Sequence, residues 1–172
     1  MLSAIILSRS RLTRLLCSLG LLGLLALPAA AQTQGQTIQG YLYQTAITQE
    51  SYLLTNPQEL QSFVAWLSPV LPYKTLPAPP NPDPFLKGFT VDFEQNVIAV
   101  AVARDRISDP PSYLGTVPLE DGTRQARFEL SAPDRSKPSP FGWAVYTAVV
   151  LPREQAPTTV LVRTLPSHKR WP

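Results

Sequence analysis

The stretch 97-Val-Ile-Ala-Val-Ala-Val-Ala-103 decides how the rest of the chain is read. Both of its alternating sets are apolar, so as a strand neither face meets water, which places it at the centre of a sheet. One face offers Ile98, Val100 and Val102, and the other is mostly alanine. Small side chains let another element pack close, and the expected occupant of the alanine face is the one helix upstream. In that helix Asn56 caps, Pro57 suits the first helical position, and Glu59 completes a capping box. Leu60, Phe63, Val64 and Leu67 share one face by their spacing, and Pro69 closes the helix, giving 57–67.

Outward from that centre, residues 89–93 precede the apolar strand across Glu94-Gln95-Asn96 and are expected to form a hairpin with it. Short strands are expected at 38–43 and 51–54. Residues 125–131 alternate cleanly, with Ala126, Phe128 and Leu130 inward and Gln125, Arg127 and Glu129 outward. A second hairpin is expected from 143–151 and 159–165. One early helix followed by strands, without βαβ alternation, reads as α+β, mainly antiparallel β with one packed N-terminal helix at about 57–67.

The 172 residues carry a net charge of +3, all of it before residue 32. Arg9, Arg11 and Arg14 stand there without an acid, and 12 basic and 12 acidic residues balance in the remainder. The basic stretch, an apolar run over 15–26 and Ala29-Ala30-Ala31 match the three parts of a secretory signal peptide over 1–31. The apolar run is about a dozen residues, short of the roughly 20 that span a bilayer, so cleavage rather than anchoring is expected. Residues 32–37 read as a flexible lead-in, 38–166 as one β-rich domain and 167–172 as a tail. The expected location is the periplasm or the medium.

Several chemistries lose their residues. The neutral main body lacks the positive field that nucleic acid needs. Cys17, the only cysteine, lies in the leader, which removes disulfides and thiolate chemistry from the domain. The only histidine, His168, stands in the tail, away from any scaffold that could orient a general base. Asp105 and Asp109, mixed with Arg104 and Arg106, do not match a calcium loop. Asp92 and Glu94 flank the expected turn and form either a solvated hairpin end or, for a carboxylate-only hydrolase, a catalytic pair. No cofactor or metal site is indicated, and the domain is expected not to be an enzyme.

Seven of the 18 prolines after residue 31 fall between Pro69 and Pro84. That run is either a stiff loop covering the sheet or helix, or a partner-docking arm. The stretch 104–118 reads as a long loop containing Pro110, Pro111, Tyr113 and Leu114, and loops of that length are often functional. These four are the expected partner-binding residues. Tyr113, with an apolar body and polar tip, is either a contact residue or packed into the core edge.

Phe89-Thr90-Val91-Asp92-Phe93, followed by the strand 97–103, resembles the opening of the C-terminal domain of the protease-stability-complex PrcB family, where an Asp-Phe pair precedes a hydrophobic strand. The strand 125–131, the closing segments 143–165 and the capped helix with Trp66 are similar in order, over about residues 56–165. At Asp109-Pro110-Pro111-Ser112-Tyr113 only the tyrosine matches the family's glycine-rich turn and tyrosine. The resemblance implies an exported, non-catalytic domain that binds or stabilises another envelope or secreted protein. An inhibitor of extracytoplasmic proteases, acting through exposed loops, is the alternative.

Overall fold

The computed structural model describes residues 35–43, 47–72, 76–132 and 142–166. The expectations for residues 1–31, for Cys17 and for the tail with His168 concern residues outside these. The elements in chain order are β1 (Gln36–Tyr43), β2 (Ser51–Leu54), α1 (Pro57–Val64), β3 (Asn96–Arg104), β4 (Ser112–Pro118), β5 (Arg124–Leu130), β6 (Trp143–Pro152) and β7 (Thr159–Thr164). The fold is mainly antiparallel β with a single short helix, as the apolar patterning implies.

Two sheets carry it. The first has the order β1-β6-β3-β2 and is antiparallel throughout. The second has the order β4-β5-β7, with β7 parallel to β5. The interior strand β3 is buried from Val97 to Ala103, so the reading of 97–103 as a two-sided buried strand holds. Its Ile98, Val100 and Val102 face Phe63, Phe85, Leu42 and Tyr146, with Leu60 and Val64 of α1 packed against the same cluster. Its Val97, Ala99 and Ala101 face Ala126 and Phe128 of the second sheet.

The helix therefore seats on the branched face of β3, opposite to the expectation. The physical reason is thickness: a second sheet approaches across the alanines, while the bulky face has room for aromatic rings. Each fully buried ring or branched side chain there contributes roughly 1.5–3 kcal/mol. The helix is also shorter than 57–67. It ends at Val64, and Leu67, although buried, pairs with Leu42 as an isolated bridge beside β1. Its start is as read: Asn56 Oδ1 accepts from Glu59 N–H at 2.9 Å, and the Glu59 carboxylate accepts from Thr55 N–H at 2.6 Å.

Four further expectations give way. Residues 89–92 form no strand, because β3 already has β2 and β6 on its two edges; Phe89 and Val91 pack against the core instead. The break 92–96 is a tight turn, with Gln95 and Asn96 N–H donating to the Asp92 carbonyl. β6 and β7 make no hairpin: β6 lies between β1 and β3, and Pro152, the 3-10 turn Arg153–Gln155 and Pro157 carry the chain to the other sheet. The supposed loop 104–118 contains β4, leaving a connection of residues 105–111. Gln36 and Thr37, placed in the lead-in, already belong to β1.

The proline-dense run is a cover. Leu71 N–H donates to Pro79 O, Asn81 N–H to Pro69 O, and Val70 and Pro80 form an isolated bridge. Asn81-Pro82-Asp83-Pro84-Phe85 then makes two successive Asx turns: Asn81 Oδ1 accepts from Asp83 N–H, and Asp83 Oδ1 from Phe85 N–H. Asn81 and Asp83 are buried, and Phe85 enters the core.

Candidate functional site

At one corner of the molecule the terminal strand β2, the helix α1 and the start of β7 enclose a groove of about 500 Å³. Tyr52 and Trp66 form its aromatic wall, both half-buried, with ring centroids 5.3 Å apart and tilted. Phe63 sits behind them, 6.0 Å from Trp66 and 6.3 Å from Tyr52. The first wall is the helix, which presents Gln58 and Ser62 to solvent; the second is Thr158, Thr159 and Val160. Ser51 Oγ donates to Val160 O at 3.3 Å, which ties the two sheets together at this corner.

Local sequence explains each part of that arrangement. Alternation turns Tyr52 to the helix side of the sheet and Ser51 and Leu53 to the other. The cap at Asn56 fixes where α1 starts, and Trp66, just past its last turn, comes beside Tyr52. Tyr52 is itself held, its hydroxyl accepting from Gln49 N–H at 3.1 Å. Glu59 is the one acidic or basic residue among those lining the groove. Its pKa is lowered by the Thr55 backbone hydrogen bond first, against a smaller effect of burial, so the carboxylate serves the helix cap. The groove offers amides, hydroxyls and aromatic faces.

A second hollow, broad and shallow at about 730 Å³, lies at the other end of the helix, bounded by Thr55, Val91, Asp92, Phe93, Glu94 and Arg153. The Arg153 guanidinium is spent on the Phe93 carbonyl, at 2.7 and 3.1 Å, and on Thr55 O at 3.3 Å. Asp92 Oδ1 accepts from Glu94 N–H at 2.9 Å, and both acids are exposed. They stand exposed at the turn 92–96, which is not the hairpin end expected of them, since no strand leads into it.

The four residues expected to bind a partner do not share a loop surface. Pro111 is fully buried and Pro110 half-buried. Tyr113 lies on β4, half-buried, its ring 5.3 Å from Phe128 and its hydroxyl 2.7 Å from Thr116 Oγ1. Leu114 alone projects, 61% exposed, at the β-bulge between Tyr113 and Gly115. Asp105 and Asp109 adopt left-handed backbone conformations, and Ser108 Oγ donates to Asp109.

One constellation carried no sequence expectation. Asp83, 2% exposed, accepts from the Tyr146 hydroxyl at 2.5 Å. Burial raises the Asp83 pKa, against the opposing effects of these hydrogen bonds, and burial followed by the Asp83 charge raises that of Tyr146. Gly40 makes the space: a Cβ there would sit 2.0 Å from Asp83 Oδ2 and 2.7 Å from Tyr146 Cε1. An acid inside an Asx-Pro repeat was the available signal, but nothing local to residue 83 points to residues 40 and 146.

Among the described residues no three His, Cys, Asp or Glu side chains converge as a metal site would require. No helix among them is long and apolar enough to cross a membrane. Comparison of the chain with protein-family models, with curated proteins and with solved structures gave no match.

Proposed function

We propose that this chain is an exported, non-catalytic module that binds or stabilises another envelope or secreted protein, and that it does so through the groove between β2, α1 and β7. The observation that carries the reading is the aromatic wall of Tyr52 and Trp66 left half-open beside a rim of amides and hydroxyls. Aromatic side chains with one wet edge supply large contact area at low entropic cost, which is what binding surfaces use. The one carboxylate in the lining, Glu59, is engaged at the helix cap, and no second carboxylate and no cation stand beside it, so the groove's residues suit recognition better than bond-making. The resemblance to the PrcB-like family, read from the order of capped helix, buried strand and later strands, supports the same reading, although the closing hairpin expected from it is replaced here by strands in two different sheets.

The test uses a photo-crosslinking amino acid in the full chain, in its own cells, at Ser62 or Thr159 on the groove walls and at Arg127 on the far side of the second sheet. The expected result is a discrete adduct with one protein from the two groove positions and none from Arg127. Identical patterns from all three positions, or no adduct from any, would overturn the reading. If the adduct is a protease, its activity with and without the domain separates a stabiliser from an inhibitor.

A further inference from the structure

The groove has an open strand edge along it. In an antiparallel pair, residues whose backbone groups face the partner alternate with residues whose groups face away. The register sets Glu50 opposite Val102, and Val102 N–H donates to Glu50 O at 2.8 Å. By alternation Tyr52 and Leu54 bond β3, and Ser51 and Leu53 turn their N–H and C=O outward. β1, at the opposite end of the same sheet, has outward groups engaged at its C-terminal end, where Ser68 N–H donates to Tyr41 O and Tyr43 N–H to Trp66 O. Among the described residues no strand pairs with the outer side of β2. Proline, charge and bulges are among the usual protections of an edge, and Ser-Tyr-Leu-Leu has none of these three, its shortness being the one limit on pairing.

We infer that the groove receives an extended peptide segment of the partner as an added strand on β2, a mode that rests on the binding-module reading above. A peptide backbone is the ligand whose donors and acceptors recur at the spacing of Ser51 and Leu53. Its side chains alternate, one set falling against Tyr52 and Trp66 and the other against Thr158, Thr159 and Val160. Large apolar or aromatic residues suit the first wall, and small or hydroxylated ones the second. Charge narrows the class further: the lining has one carboxylate, Glu59, and neither Lys nor Arg, so the segment is neutral or basic rather than acidic. Four residues of β2 match about four residues of ligand, roughly 13 Å of extended chain.

A library of random dodecapeptides, displayed internally in a carrier so that neither terminus is free, is panned against the full chain. A variant with Ser62→Arg and Thr159→Arg, two exposed wall positions, is the counter-selection. Enriched peptides are then resynthesised with single backbone N-methyl groups. Enrichment of sequences with large apolar residues at every second position is expected. N-methylation at two positions two apart should weaken binding about tenfold, through loss of a hydrogen bond, and at the intervening position by less than about threefold. Binding blocked by the two arginines but indifferent to N-methylation would overturn strand addition and leave the groove as a binding site. Equal binding to both forms of the protein, or no enrichment, would overturn the inference by itself, while the crosslinking result decides the broader reading separately.

Discussion

Asp83 sits in a low-dielectric site with two donors, Tyr146 O–H and Phe85 N–H, and is not paired with any cation among its hydrogen-bond partners. Because burial raises its folded-state pKa, the folded protein binds this proton more tightly than the unfolded chain does. The stabilisation it brings is full below the unfolded value of 3.8 and is lost as pH rises through the higher folded value. Asp83→Asn keeps an acceptor for Phe85 N–H and removes the titration. Urea unfolding from pH 4 to 7 is expected to show stability falling less steeply in the variant than in the parent; parallel curves would contradict the assignment. Asp83→Ala leaves two buried donors without acceptors, at a cost of about 1–3 kcal/mol for each. Gly40→Ala should be as damaging for the opposite reason, since its Cβ would meet Asp83 Oδ2 at 2.0 Å.

The helix depends on its cap more than its length suggests. Eight residues are too few to persist alone, so α1 exists through the Asn56 and Glu59 contacts and the burial of Phe63. Asn56→Ala is expected to cost about 1 kcal/mol, read as a shift in unfolding midpoint at unchanged slope. Since α1 is one wall of the groove, the same change should weaken any peptide selected against the parent. Capping chemistry of this kind is local, which is why it was legible in the sequence, as were the buried 97–103 strand and the one-sided 125–131 strand. Pairing is not local. That β7 runs parallel to β5, rather than folding back on β6, depends on β6 having both edges filled by strands from distant parts of the chain. The groove was obscured for the same reason: Tyr52 and Trp66 lie on elements the sequence suggests, but Thr158, Thr159 and Val160 meet them only through the stacking of two sheets. The Tyr113 region misled because a proline-flanked stretch of ordinary composition can be a loop or a bulged edge strand, and β4 is the latter.

At the scale of the whole molecule, the alanines of β3 decide how the two sheets meet. Ala99 and Ala101 are completely buried against the cluster of Ala126 and Phe128, whereas Ala65, at the end of α1, is exposed. Interiors at crystal-like density do not absorb three extra heavy atoms without moving something. Ala101→Leu should therefore cost about 1–3 kcal/mol, or roughly 5 °C in Tm for a domain of this size, while Ala65→Leu should change stability by less than about 0.5 kcal/mol. The register places Ser51 directly opposite Ala101, and Ser51 Oγ is the group that reaches across to Val160 O. A wedge at Ala101 thus acts where the two sheets close on the groove. If strand addition on β2 is the binding mode, Ala101→Leu should weaken a groove-selected peptide at temperatures where the variant remains folded, and Asp83→Asn, seated on the opposite face of the sheet, should leave its affinity unchanged. Thermal unfolding and peptide titration of the two variants side by side distinguish a groove set by the spacing of the sheets from one set by α1 alone, because in the second case neither variant alters the affinity.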